Sequence, residues 1–201
     1  MNTLPLVYLA SQSPRRQQLL MQIAVPFQVL LPSDRAAAED LEAVLPGEKP
    51  LAYVQRVTRL TLQQAKLERV RLGWPAHPIL CADTTVALGD EILGKPQDLA
   101  EAKDMLQRLS GQTHQVFTAM AISHGRKTLR ALSRSKVRFD DLSPQDIEAY
   151  VASGEPMGKA GAYGIQGLAS GFIRSIQGSY SGIMGLPLFE TSRLLRQLAE
   201  D

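Results

Sequence analysis

The chain has 201 residues, a length sufficient for one domain over residues 1–201 that buries its own core without disulfides. Its hydrophobic fraction of 44% and charged fraction of 21% exclude a wholly disordered or collagen-like chain. With a net charge of +2 we expect no nucleic-acid partner, and no apolar run reaches the roughly 18 residues of a membrane span. A lone cysteine, Cys81, and an amino terminus unlike a signal peptide predict a cytoplasmic protein.

Up to Gly73 the sequence predicts two strands, two helices and one acidic loop. Short apolar runs at 7–10 and 27–31 are typical of buried strands, and residues 34–48 lack a clear period and predict a loop with room for one helical turn. Ser13 has the position of an N-cap and is followed by proline, which predicts a helix start. A second, amphipathic helix is predicted over 51–72, with inward positions at Val54, Val57, Leu60 or Thr61, Ala65 and Leu67.

The rest of the sequence predicts hairpins, three helices and a glycine-rich segment over 154–185. Strands are predicted over 79–88, 91–93, 113–123, 129–139 and 172–176, and helices over 98–109, 143–153 and 187–198. Ser143 with Asp146 has the spacing of a capping box at a helix start. Because hairpins interrupt the alternation of strands and helices, we predict an α/β fold with a mixed rather than a purely parallel sheet.

Two adjacent arginines lie where a helix favours negative charge. Arg15 and Arg16 follow Pro14 in the first turn, where the free N–H groups and the helix dipole attract anions. A bound phosphate would neutralise the two positive charges at this helix terminus, and Ser11 and Ser13 would add hydroxyl donors. The alternative is a solvated pair of arginines beside an ordinary cap, and spacing alone does not decide between the two.

A single carboxylate interrupts the predicted apolar strand 79–88. Asp83 is costly to bury there unless it is paired, hydrogen-bonded or bound to a metal. With a raised pKa it could act as a general base on water, or it could hold Mg²⁺ through one oxygen while phosphates supply other ligands. The alternative is a structural carboxylate that caps a nearby loop.

Other polar residues give weaker signals. Lys95 and Lys159 lie in glycine-flanked turns that let a cation approach a phosphate closely, although surface lysines in loops are common. The histidines at 77, 114 and 124 lack metal-ligand spacing, and no Gly-x-Ser-x-Gly elbow supports a catalytic triad. Cys81 is interpreted as a core residue, because no histidine is placed to activate it.

Six segments, in chain order, resemble motifs of the Maf family, nucleotide pyrophosphatases historically called septum formation inhibitors. They are residues 10–16 (ASQSPRR), 82–84 (ADT), 94–96 (GKP), 109–111 (LSG), 158–167 (GKAGAYGIQG) and 178–187 (GSYSGIMGLP). The resemblance extends from about residue 6 to residue 198. It implies an elongated mixed α/β fold with two lobes around a central cleft, similar to the inosine triphosphate pyrophosphatase fold. It further implies a homodimer and hydrolysis of a nucleoside triphosphate to monophosphate and pyrophosphate with a divalent cation, Mg²⁺ or Mn²⁺.

Within the family, the Ala-Asp-Thr motif together with Tyr-Gly-Ile-Gln-Gly resembles the branch that acts on dTTP and UTP. A branch that acts on 7-methyl-GTP has Glu at the position of Gln166. The resemblance makes Asp83 the catalytic base and a metal ligand. It assigns substrate contacts to Ser11, Arg15, Arg16, Thr84, Lys95, Lys159 and Gln166, with Arg16, Thr84 and Gln166 as specificity positions. The alternatives are a pyrophosphatase for 7-methyl-GTP or another modified nucleotide, and a nucleotide-binding regulator of cell division with weak or lost turnover.

The sequence departs from the family pattern at two places. An Asp-Glu pair usually follows the second strand, and here Asp34-Arg35 stands there, so the acid near the metal stays open among Asp34, Glu39, Asp40 and Glu42. The family also has a lysine in the second helix where this sequence has Gln64. Lys66 is roughly 200° further around a helix, so we expect that it does not substitute for that lysine.

Overall fold

A computed structural model describes residues 4–34, 36 and 40–199 and contains a mixed seven-stranded sheet within that part of the chain. Its strands are β1 (Val7–Leu9), β2 (Phe27–Val29), β3 (Ile79–Leu88), β4 (Glu91–Leu93), β5 (Thr113–His124), β6 (Lys127–Phe139) and β7 (Ile173–Gln177). The spatial order is β2-β1-β3-β5-β6-β7, and β4 pairs with β3 beside that path. β1 is parallel to β2 and β3, whereas the other pairs are antiparallel, so the predicted mixed sheet is confirmed.

Six α-helices of at least five residues accompany the described part of the sheet. They are α1 (Pro14–Gln22), α2 (Pro50–Arg71), α3 (Leu99–Leu109), α4 (Pro144–Ala152), α5 (Tyr180–Met184) and α6 (Leu188–Ala199). Ser143 and Asp146 form the predicted capping box of α4. Ser13 occupies the N-cap position of α1 as predicted, but its side chain makes no capping hydrogen bond. No helix in residues 4–34, 36 and 40–199 is both long enough and apolar enough to cross a bilayer.

Alternating side chains of the central strands pack against different helices. Leu80 and Ala82 belong to a cluster with residues of α1 and α6, whereas Cys81 belongs to a cluster with residues of α2. A third cluster, around α3, α4 and Tyr163, covers the far end of the sheet. Because successive residues of a strand point to opposite faces, β3 directs Asp83 toward the α2 side and Thr84 toward the α1 side.

One inward position predicted for α2 is wrong. Leu67 is 73% exposed, and Leu62 is buried instead at 4%. Glu68, a polar residue, is also buried, because its carboxylate pairs with Arg71 and accepts a hydrogen bond from Ser33. The buried face of α2 therefore includes Leu62 and Glu68. A prediction that counts only apolar residues as buried misplaces this face in the carboxyl-terminal part of the helix.

The glycine-rich segment contains more regular structure than the sequence predicts. Two 3₁₀ turns, Ala160–Ala162 and Leu168–Phe172, and the short helix α5 surround the predicted strand β7. Gly182 of α5 packs so closely on β6 that a Cβ there would lie 2.4 Å from Ser133 Oγ. Glycine thus serves close packing of a helix on the sheet at this position.

Candidate active site

A cleft of about 630 Å³ opens where α1, the carboxyl-terminal half of β3 and the glycine-rich segment meet, a volume typical of ligand sites. Members of the α1–α6 cluster and of the α3–α4 cluster both line it, so the cleft lies between two parts of the core. All eight site residues predicted from the sequence line this cleft: Ser11, Arg15, Arg16, Asp83, Thr84, Lys95, Lys159 and Gln166.

Asp83 is an underpaired carboxylate in the cleft. Its Oδ2 atom is buried and has no hydrogen-bond partner among the described residues. Burial raises the pKa of Asp83 to about 6, with Arg16 opposing that rise and the negative charge of Glu42 adding to it. A carboxylate in this state can accept a proton near neutral pH and has a free oxygen for a further ligand.

Arg16 connects three elements that surround the cleft. Its Nε donates to the carbonyl of Gly185 at 2.8 Å, its Nη1 donates to Ser11 Oγ at 3.0 Å, and its Nη2 lies 3.4 Å from Thr84 Oγ1. Burial lowers the pKa of Arg16, and the nearby Asp83 carboxylate raises it. The guanidinium therefore joins α1, β3 and the end of α5 through bonds that all lie within the protein.

Arg15 differs from its neighbour, because it makes no hydrogen bond or ion pair with any residue that the structure describes. Lys159 lies close to it across the cleft: burial and then the charge of Arg15 lower the pKa of Lys159. The Lys159 ammonium donates to the Glu155 carbonyl, which carries no net charge. The Glu155 carboxylate opposes part of this effect on the pKa of Lys159, but two neighbouring cations still favour a negatively charged ligand between them.

The two arginines should respond differently to substitution by lysine. Arg15→Lys is expected to lower kcat/KM on the order of 10-fold, the loss of about one charge-assisted hydrogen bond, with little change in melting temperature. Arg16→Lys removes three internal contacts and should lower both kcat/KM and melting temperature. Steady-state kinetics and thermal melts of the apo proteins measure the difference. An Arg15→Lys protein destabilised as much as Arg16→Lys would show that Arg15 is structural.

Glu42 is the acid in the cleft that the sequence does not single out. It lines the cleft and forms an ion pair with Lys95 at 2.6 Å. Asp34 and Asp40 are not among the described residues that line the cleft, and Glu39 lies outside the described residues. The nearness of Glu42 to Asp83 follows from its effect on the pKa of Asp83.

The backbone around Glu42 is held by side chains of α2. Tyr53 Oη donates to the Glu42 carbonyl at 2.9 Å, while Arg56 donates to the carbonyls of Leu41 and Ala43. Arg56 also forms a bidentate ion pair with Glu48 in the same loop, with both distances 2.7 Å. These contacts join a loop to the helix that follows it and do not repeat with a helix or strand period, so periodicity could not have placed Glu42 in the cleft.

Gln64, which stands at the position of the family lysine, lines the cleft, and so does Thr61 one turn earlier in α2. Lys66 lies elsewhere, since its Nζ is 3.5 Å from Thr128 Oγ1 on β6. Lys66 is thus not among the described residues that line the cleft, and that it does not substitute for the family lysine stays a prediction. The α2 wall of the cleft is consequently uncharged at Thr61 and Gln64.

Two of the residues set aside as nonfunctional, Cys81 and His114, are buried. Cys81 donates to the Thr58 carbonyl at 3.4 Å, and burial raises the pKa of its thiol to about 12, so it is a core residue as predicted. His114 is 1% exposed, and burial lowers its pKa to about 4. Its Nε2 lies 2.8 Å from the hydroxyl of Tyr163, a residue of the cleft wall. His114 therefore supports the wall as a neutral side chain.

Comparison with known proteins agrees with this arrangement of motifs. The family model described as Maf-like protein matches residues 6–198. A dTTP/UTP pyrophosphatase of Ralstonia nicotianae is 59% identical over 196 residues, covering 97% of this chain and 95% of the relative. A dTTP/UTP pyrophosphatase of Polaromonas sp. is 58% identical over 190 residues, covering 94% of each chain.

Among solved structures, the Staphylococcus aureus Ham1 protein matches 68% of this chain and 72% of its own, with a TM-score of 0.37 and 10% identity. A likeness with this TM-score supports no conclusion about the present chain. The family model and the two relatives identify the family of this chain, because they span nearly the whole sequence. The chain belongs to the family of Maf-like proteins.

Proposed function

We propose that this chain hydrolyses dTTP and UTP to the nucleoside monophosphate and pyrophosphate. The names of its relatives, at 56–59% identity over nearly the whole chain, support this substrate class. The observation that carries the proposal is Asp83, whose buried oxygen without a hydrogen-bond partner among the described residues shares a cleft with the neighbouring cations Arg15 and Lys159. A base and a pair of neighbouring cations in one cleft suit the attack of water on a polyphosphate.

In this reaction Asp83 accepts a proton from water while the water oxygen bonds to the α-phosphorus. The bond between that phosphorus and the oxygen bridging to the β-phosphorus breaks, and pyrophosphate leaves with its electron pair. Arg15, Lys159 and Lys95 stabilise the charge that develops on the leaving group. Ser11 Oγ accepts from Arg16 and from the Ser13 amide, so its own proton stays available for a phosphate oxygen.

Gln166 supplies the contact proposed for the base. It is exposed in the cleft wall, where its amide can meet the edge of a base. A carboxamide has N–H donors and can donate to O4 of thymine or uracil, whereas a carboxylate only accepts. This difference favours dTTP and UTP over a guanine nucleotide.

The residues present fit a divalent cation such as Mg²⁺ or Mn²⁺. No three His, Cys, Asp or Glu side chains within the described residues form a metal site by themselves. Mg²⁺, however, is commonly held by one or two carboxylates together with substrate phosphates and water. Asp83, with its orphaned Oδ2, and Glu42 would hold it, and the bound ion would neutralise charge on the phosphates.

Glu42→Gln tests this assignment. We expect the metal concentration at half-maximal activity to rise on the order of 10-fold, because one of two carboxylate ligands is lost. Mn²⁺ binding to the protein without nucleotide, measured by electron paramagnetic resonance, should weaken in parallel. Glu148→Gln is the matched control, since Glu148 pairs with Lys103 on the surface at 2.8 Å and lies outside the cleft. Unchanged Mn²⁺ binding in Glu42→Gln would remove Glu42 from the metal site.

A nucleotide panel tests the proposed function itself. The protein is incubated with dTTP, UTP, CTP, GTP or 7-methyl-GTP and Mg²⁺ or Mn²⁺, and released pyrophosphate is converted to phosphate by added inorganic pyrophosphatase and detected with malachite green. We expect dTTP and UTP to be the fastest substrates. Fastest turnover of 7-methyl-GTP would identify the other branch, and calorimetric binding without phosphate release would favour the regulator. The proposal includes a cytoplasmic homodimer, which size-exclusion chromatography with light scattering and cell fractionation test.

A further inference from the structure

Thr118 lies directly behind a cleft residue and is almost completely buried, at 1% exposed. It pairs across the sheet with Thr84, because Thr84 on β3 and Thr118 on β5 are register partners. The two hydroxyl oxygens are 2.9 Å apart. Thr118 itself does not line the cleft, so any effect it has on a ligand must act through its neighbour.

The direction of the hydrogen bonds between these hydroxyls is determined by a backbone carbonyl. Thr118 Oγ1 lies 2.7 Å from the carbonyl of Gly182, which can only accept. The single proton of Thr118 is therefore committed to that carbonyl, and Thr84 must donate its own proton to Thr118. Close packing of α5 at Gly182, where a side chain would clash with Ser133, holds the carbonyl in place.

Thr84 consequently faces the cleft as an acceptor only. Arg16 Nη2 donates to it at 3.4 Å, which leaves one further lone pair. Thr84 lines the cleft, and Gly185 places no side chain beside its Oγ1, where a Cβ would be in ordinary contact at 3.6 Å. A ligand atom that bonds to Thr84 must thus be a donor, which excludes phosphate oxygens.

We infer that Thr118 is a positioning residue that makes Thr84 select a pyrimidine with a donor at N3. This inference rests on the proposed function. Uracil and thymine carry a hydrogen at N3, whereas N3 of cytosine is an acceptor and would oppose the lone pair of Thr84. Gln166 cannot make this distinction alone, because its amide has no hydrogen bond among the described residues and can rotate to exchange donor and acceptor.

Thr118→Val tests the inference, because valine keeps the shape and removes the hydroxyl. The Thr84 proton is then free to point into the cleft. We expect the ratio of kcat/KM for UTP over CTP to fall on the order of 10-fold, whereas Thr118→Ser retains the wild-type ratio. Thr191→Val is the matched control: Thr191 is equally buried and donates to the Pro187 carbonyl at 2.8 Å, but it lies away from the cleft.

A double-mutant cycle shows whether Thr118 acts through Thr84. In a Thr84→Val background, adding Thr118→Val should leave the UTP/CTP ratio unchanged. Calorimetric binding of UMP and CMP measures the same preference without turnover. A Thr118→Val protein that melts as a folded protein yet keeps the wild-type UTP/CTP and UMP/CMP ratios would overturn the inference. A wild-type protein that prefers UMP to CMP but releases no pyrophosphate from UTP would instead overturn the proposed function alone.

Discussion

Asp83→Asn is expected to lower kcat for dTTP and UTP on the order of 10² to 10⁴, the usual contribution of a general base. Asparagine has the size of aspartate but cannot take a proton from water. It also weakens any cation held through the orphaned Oδ2. Asp90→Asn is the matched control, because Asp90 is an exposed aspartate that forms an ion pair with Lys49 at 2.6 Å. An Asp83→Asn enzyme within threefold of the wild type would contradict the assignment.

The pH dependence provides a second measurement on the same residue. Because burial raises the pKa of Asp83 to about 6 and a bound cation would lower it, wild-type kcat/KM should rise with pH along a limb centred no higher than about 6 and level off above. The residual activity of Asp83→Asn should lack this rising limb. A limb that persists unchanged in the asparagine variant would belong to a different group.

Stability should change in the opposite direction to activity. The folded protein holds the Asp83 proton more tightly than the unfolded chain, since its pKa is about 6 against 3.8. Stability due to this group is therefore lost as pH rises from about 4 to about 6. Without metal or nucleotide at pH 8, Asp83→Asn should melt no lower than the wild type. A clearly lower melting temperature would indicate a structural carboxylate.

Gln166→Glu is expected to lower the ratio of kcat/KM for dTTP over 7-methyl-GTP on the order of 10²-fold. The substitution keeps the size of the side chain but removes its N–H donors, so O4 of thymine loses its partner. A negative charge near the triphosphate adds repulsion, which affects both nucleotides. A complete switch to 7-methyl-GTP would also require changes at Arg16 and Thr84, because both remain suited to a pyrimidine.

Gln177→Glu is a suitable control for the added charge, because Gln177 ends β7 and does not line the cleft. Both variants should melt close to the wild type, since Gln166 is exposed. An unchanged nucleotide ratio in Gln166→Glu would mean that Gln166 does not contact the base. The choice of pyrimidine would then depend on other residues of the cleft wall.

The sequence by itself determined the features that depend on neighbouring residues. Ser143 and Asp146 are three residues apart, so their capping box could be predicted from local spacing. Asp83 stands out because an isolated carboxylate in an apolar run is costly to bury, and that cost is the same in any fold. The arginines of the first helical turn could also be recognised from the sequence, because the helix dipole there favours negative charge in any fold.

Only the tertiary structure decided features that depend on packing between distant segments. Arg15 and Arg16 look alike in the sequence, but they are separated by about 100° around the helix, and Arg16 bonds to Gly185, which is 169 positions further along the chain. Glu42 enters the cleft because α2 side chains bind the carbonyls of its loop. The buried face of α2 likewise follows the surfaces that surround the helix, which is why Leu67 is exposed. Local periodicity does not predict these contacts, since each depends on how separate segments pack against one another and not on the repeat of one helix or strand.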